Sequence, residues 1–181
     1  LENALGNSYT SGFRGKLKVS IDDGDLNSSN DPSSEYIFNI LLYNNATYIG
    51  GLKADTTVWD GVGSMHFFDE VTKQPTGTSY NGGYLDGAEH GFGTYRQADG
   101  YKYEGDWVAG EKTGSGIMTT QSGVIMTGEF IGGVQNGYGT YFWPDSGNLY
   151  AGEFLNGLFH GEGSLVLADG HVQTQIYSSG N

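Results

Sequence analysis

The sequence predicts an all-β protein, built as one elongated, twisted single antiparallel sheet of successive β-hairpins. Three observations carry this reading. Glycine fills 32 of the 181 positions, against a usual ~7 %, and it recurs in phase rather than at every third residue as collagen requires. Between the glycines, apolar and polar residues alternate with a period of two. No stretch of useful length carries helical periodicity, and at 14 % aromatic residues the chain is too rich in rings for a disordered linker.

Residues 1–46 read as a divergent, repeat-like cap. Phe13-Arg14-Gly15 sits 46 residues, two periods, ahead of Trp59-Asp60-Gly61. Residues 22–34 are a run of Asp, Asn and Ser with one Pro, which predicts an exposed loop. Residues 36–43, YIFNILLY, predict a strand that turns at Asn44-Asn45 and pairs with residues 47–52. Regular units then occupy residues 47–170. The first opens at Tyr48, and four more open at Tyr80, Tyr103, Met126 and Tyr150. The glycines Gly82, Gly105, Gly128 and Gly152 are spaced by 23, 23 and 24 residues, the signature of a solenoid-like array. Gly50 precedes Gly82 by 32 residues, which assigns the extra length to an inserted loop at 69–78.

Each unit reads as a hairpin. In Tyr103-Glu104-Gly105-Asp106-Trp107, one face receives Tyr, Gly and Trp, and the other receives Glu and Asp. A glycine between two rings leaves room for neighbouring rings to lie over the backbone. The second strand starts at a G-x-G centre, as in Gly137-Tyr138-Gly139. Asp99-Gly100, Ser146-Gly147 and Asp169-Gly170 turn the chain at one end of the units. Asp86-Gly87, Ala109-Gly110, Gly132-Gly133 and Asn156-Gly157 turn it at the other, since glycine, Asn and Asp tolerate the positive φ of tight hairpins. Residues 171–181 add a last strand and a tail, all within one continuous domain. A flat single sheet leaves its rings wet, so twist or curl is expected to close the aromatic side into a core or groove.

The unit resembles the MORN repeat (membrane occupation and recognition nexus). The resemblance rests on YEGDW, NGYGTYFWPDSG and FHGEGSLVLADG, and on three features that recur in phase. These are an aromatic-x-Gly-x-aromatic opening, a G-x-G centre and a D-G or D-S-G close. Three places depart from it: Met126 replaces the leading Tyr, Gln121-Ser122-Gly123 replaces the Asp-Gly close, and Leu52 stands for the second aromatic. The resemblance implies a non-catalytic binding or scaffold module. Proteins with such repeats are linked to membrane-associated or cytoskeletal assemblies, and lipid binding has been proposed for the family.

Eight Lys and Arg against 21 Asp and Glu give a formal net charge of −13. Such a surface repels phosphate backbones and lacks a basic stripe, which argues against nucleic acid and against direct binding to an anionic membrane. The absence of cysteine removes disulfides, thiol catalysis and Cys-based zinc sites. No run of ~20 apolar residues marks a bilayer span, and no basic region ahead of an apolar one marks a signal peptide. A cytoplasmic or membrane-peripheral location is the expectation.

His90 and His160 fall where other units carry Arg14, Asp60, Thr113 and Asn136, so they read as rim hydrogen-bonding residues rather than acids or bases. No carboxylate pair stands out as flanking a groove. Asp23, Asp25 and Asn27 place oxygens at alternate positions as a calcium loop does, but the sixth position lacks Gly and the twelfth, Ser34, lacks a carboxylate. No catalytic residue, metal or cofactor is therefore expected. Glu104, Glu129 and Glu153 are expected to share a position and to form a row of like charges along the outer face. The expected function is protein binding or scaffolding, with Tyr84, Trp107, Phe130, Tyr138 and Phe154 as ring anchors for a protein partner. Unpaired sheet ends offer a route to self-association. The alternatives are a carbohydrate-binding or carbohydrate-active protein using the aromatic groove, and a membrane-associated adaptor.

Overall fold

The computed structural model describes residues 15–19, 36–43 and 45–178. The strands are β1 (Gly15–Val19), β2 (Tyr36–Leu42), β3 (Ala46–Leu52), β4 (Trp59–Phe68), β5 (Pro75–Leu85), β6 (Ala88–Arg96) and β7 (Lys102–Val108). They continue as β8 (Glu111–Thr119), β9 (Ile125–Ile131), β10 (Val134–Trp143), β11 (Asn148–Leu155), β12 (Leu158–Val166) and β13 (Val172–Tyr177). Among the described residues these thirteen form one antiparallel sheet whose spatial order is the sequence order. The predicted loop at 22–34, with Asp23, Asp25 and Asn27, lies outside the described residues, as do Phe13, Arg14 and residues 179–181.

The inserted loop is shorter than the expected 69–78. Asp69 Oδ1 accepts the Thr72 N–H at 2.7 Å and the Val71 N–H at 3.1 Å, which closes the turn early. Pro75 already pairs with Phe68, so part of the inserted length extends β4 and β5 instead.

The two glycines of each G-x-G do different work. The first takes a positive φ, +69° at Gly91 and +91° at Gly137, where the register slips by a bulge and the strand bends. At Gly63, Gly93, Gly116 and Gly163 the second lies under a tyrosine ring. A Cβ on Gly116 would meet Tyr103 ring and hydroxyl atoms at 2.7 Å. The ring is then fixed by its own hydroxyl. Tyr48, Tyr80, Tyr103 and Tyr150 each donate to the carbonyl three residues on, at 2.7, 3.0, 3.1 and 3.0 Å. All four side chains are buried, with Tyr48, Tyr103 and Tyr150 at 0 % exposure.

Tyr48, Tyr80 and Tyr103, with Trp59, Tyr84, Trp107 and Phe130, form an inner core packed largely edge to face, the arrangement that ring quadrupoles favour. Tyr150, Phe154 and Tyr177 form a second cluster. The break between them falls inside the unit that opens at Met126, the departure noted in the sequence: Met126 and Phe130 belong with the first cluster and Tyr141 packs on the second. There Gln135 replaces the missing phenol. Its Nε2 donates to Thr127 O at 2.9 Å and Thr140 O at 3.2 Å, over Gly139. Gln135 is 3 % exposed, and its Oε1 has no partner.

Hairpin tips tie each unit to the one before it. Both central residues of the tips have positive φ, as at Asp86 (+50°) and Gly87 (+88°) or Asn156 (+50°) and Gly157 (+78°), the geometry of turns that match strand twist. The N–H groups of Gly87, Gly110, Gly133 and Gly157 then reach back to the carbonyls of Trp59, Glu89, Lys112 and Gln135 at 2.8–2.9 Å.

Candidate functional site

With both glycines of the G-x-G committed to the bend and to the inner rings, its middle residue stands on the outer face. That position holds Val62, Phe92, Ser115, Tyr138 and Glu162. Val62, Phe92 and Tyr138 are large apolar or aromatic side chains left 76, 63 and 66 % exposed. Antiparallel register sets a carboxylate opposite three of these positions: Phe92 faces Asp106, Ser115 faces Glu129 and Tyr138 faces Glu153. The acidic row is therefore Asp106, Glu129 and Glu153. This corrects the expected row, because Glu104 sits one step along its strand, opposite Thr94 and Ile117.

Two of these carboxylates, Asp106 and Glu153, are held by hydrogen bonds. Asp106 Oδ2 accepts the Ser115 N–H at 2.9 Å. Tyr138 Oη donates to Glu153 Oε1 at 3.1 Å, and this bond, followed by the carboxylate charge, raises the phenol above its ordinary pKa. Glu104 is paired with Lys102, whose hydrogen bond and charge lower its carboxyl. Alongside runs a second outer row of small polar side chains, bonded across strands at Ser64–Asn81 (2.6 Å), Thr127–Thr140 (2.7 Å) and Ser164–Thr174 (3.0 Å).

Between the rows lies an open recess of about 460 Å³. Phe92, Ile117 and Tyr138 give it apolar walls, Glu104 and Glu129 give it negative charge, Ser115 lies between them, and Gly105, Gly116 and Gly128 complete the lining. It spans β6 to β10, so it is assembled from units about 23 residues apart. It presents carboxylates to cations, rings to apolar groups, and strand backbone beneath.

Of the five predicted ring anchors, only Tyr138 lies on this surface. Tyr84, Trp107, Phe130 and Phe154 are 4, 5, 1 and 3 % exposed. They are core rings, because they share the inner face with the glycine-seated tyrosines, and this corrects their expected exposure. Trp107 also spends its indole N–H on Gly93 O at 3.2 Å. The sequence reading missed Phe92 and Ile117. The signal was available at Phe92, the middle residue of Gly91-Phe92-Gly93.

The histidine position makes a rim contact in two units, through its Asp and Asn equivalents, whereas His160 Nδ1 is buried without a partner. Asp60 and Asn136, its equivalents, accept the N–H of Asp86 at 3.5 Å and of Asn156 at 3.1 Å from the next unit's tip. Among the described residues no group of three or more His, Cys, Asp or Glu is gathered as a metal site would require. No helix in them is long and apolar enough to cross a membrane.

A family model for the MORN repeat matches residues 80–100, 103–124, 127–147 and 150–172. No curated protein matches the chain. The unit from Tyr48 lies ahead of the matched residues, yet it repeats their geometry. Its tyrosine hydroxyl bonds three residues on, and Gly50 and Gly63 sit under its ring.

Proposed function

We propose, from the premise that the chain belongs to the MORN repeat family, that it is a non-catalytic protein-binding module. Its outer groove takes an extended segment of a partner that carries both basic and apolar side chains. The observation that carries this is the recess over β6 to β10, where Phe92, Ile117 and Tyr138 stand beside Glu104 and Glu129. Large rings left in water at a concave surface are the usual anchors of protein interfaces. Acidic side chains between them favour a basic partner and steer its approach. A net charge of −13 acts in the same direction at longer range.

Selection of peptides from a random library on the full chain tests this. Binders are expected to combine Lys or Arg with aromatic or branched apolar residues, and to weaken about tenfold or more on Phe92→Ser with Tyr138→Ser. Their affinity is expected to fall as salt is raised. Binders without basic residues, or binders indifferent to both substitutions, would overturn the reading.

A further inference from the structure

On the inner face, opposite the groove, the Lys112 ammonium lies among four rings. Its Nζ is 5.1 Å from the ring centre of Tyr95, 5.2 Å from Tyr101, 5.3 Å from Trp107 and 5.9 Å from Tyr103. Each distance is within the ~6 Å over which a ring attracts a cation. No hydrogen bond or ion pair holds this ammonium among the described residues. Its three N–H donors therefore face ring clouds and solvent, and the Glu89 carboxylate acts on it only through charge, beyond ion-pair contact. Lys112, Tyr95 and Tyr101 are half-buried, so the cage is open to solvent on one side.

The register sets other side chains in the equivalent slot of each unit. Lys112 stands opposite Trp107. The equivalent residue in the first unit, Trp59, stacks on Tyr48 at 5.4 Å. In the last unit Phe159 stacks on Tyr150 at 3.9 Å. In the units between, the same place holds Glu89 and Gln135, so the slot takes flat rings as well as long polar side chains, and at Lys112 it is the four surrounding rings that make its walls apolar. A primary ammonium is strongly hydrated and rich in donors. Methylation keeps the charge and replaces the donors with carbon, which fits four ring faces better.

We propose that Tyr95, Tyr101, Tyr103 and Trp107 form a receptor for a methylated lysine side chain of a protein partner, with Lys112 as its built-in plug. A lysine is the occupant the slot already holds, so it has room for that side chain's aliphatic stem. A guest displaces Lys112, so its affinity for the intact chain is reduced by the occupancy of the plug. The cage and the outer groove lie on opposite faces, so each can fail without the other.

The test is a titration of the full chain with trimethyl-lysine amide, followed by the Trp107 indole N–H resonance. Lys112→Ala empties the cage. Lys112→Gln does so with the residue that the next unit carries at this place, Gln135, and guards against loss of the fold. Saturable shifts in a folded variant are expected, about tenfold weaker in the unsubstituted chain and about tenfold weaker for the neutral tert-butyl isostere. Equal binding of the isostere, equal affinity with and without Lys112, or no saturable shift in a folded variant would overturn the proposal. Failure of both variants to fold would make Lys112 a structural keystone and overturn it as well. Phosphocholine vesicles that move the resonance when the amide does not would overturn the assignment to a protein partner.

Discussion

One methyl group distinguishes the two glycines of each G-x-G. At Gly116 an added Cβ meets the Tyr103 ring at 2.7 Å, and that ring is wedged between Trp107 and Phe130. Gly116→Ala should cost about 1–3 kcal/mol by overpacking. At Gly91, with φ +69° and nothing within 4 Å of an added Cβ, Ala should cost about 1 kcal/mol through backbone strain alone. Urea unfolding of the two variants checks the order, and equal midpoints would refute it. A second residue-scale prediction concerns Met126 and Gln135, which share the work a tyrosine does elsewhere. Met126→Tyr should destabilise while Gln135 fills the space over Gly139, and Gln135→Ala should relieve it. A double-mutant cycle should show coupling of about 1 kcal/mol or more.

The hairpin tip is the element in which one substitution should add stability. Ala109 holds φ +51° in a turn where Asp86, Gly132 and Asn156 hold the same conformation in other units. Ala109→Asn should stabilise by about 0.5–1 kcal/mol, because Asn tolerates this region better than Ala. A midpoint unchanged or lowered in urea would refute it. Tips of this kind, and the spacing between them, are local features, which is why the hairpin frame is legible in the sequence. The groove is less so. Alternation alone sets Phe92 with Thr94 and Tyr138 with Thr140, opposite Tyr95 and Tyr141, so those two residues could have been assigned to the outer face. It cannot show that Phe92, Ser115 and Tyr138 line one recess, since that depends on the slipped register of three hairpins. Nor does it show which side of a single sheet is dry, so grouping Tyr138 with Trp107 as anchors joined rings from opposite faces.

Across the molecule, buried phenols make stability depend on alkaline pH. Burial raises Tyr48, Tyr80 and Tyr84 far above the ordinary phenol value, and pushes Tyr103 up to about 12. Below pH 10 these phenols keep their protons in both folded and unfolded chains. Above it the unfolded chain releases them and the folded chain does not, so their contribution is complete below the unfolded value and is lost as pH rises toward 12. Urea midpoints should therefore fall between about pH 9 and about pH 11, and Tyr103→Phe should flatten the fall. The backward-reaching tip bonds, Gly87 to Trp59 and its counterparts through Gly157 to Gln135, carry a consequence for synthesis. On the ribosome each new hairpin meets a docking edge already made by the residues ahead of it, and none waits for the C-terminus. A unit of about 23 residues takes roughly one to five seconds to emerge, against microseconds for a hairpin to close. Assembly of this array is thus paced by translation, and a nascent chain leaves about one unit at a time without its partner.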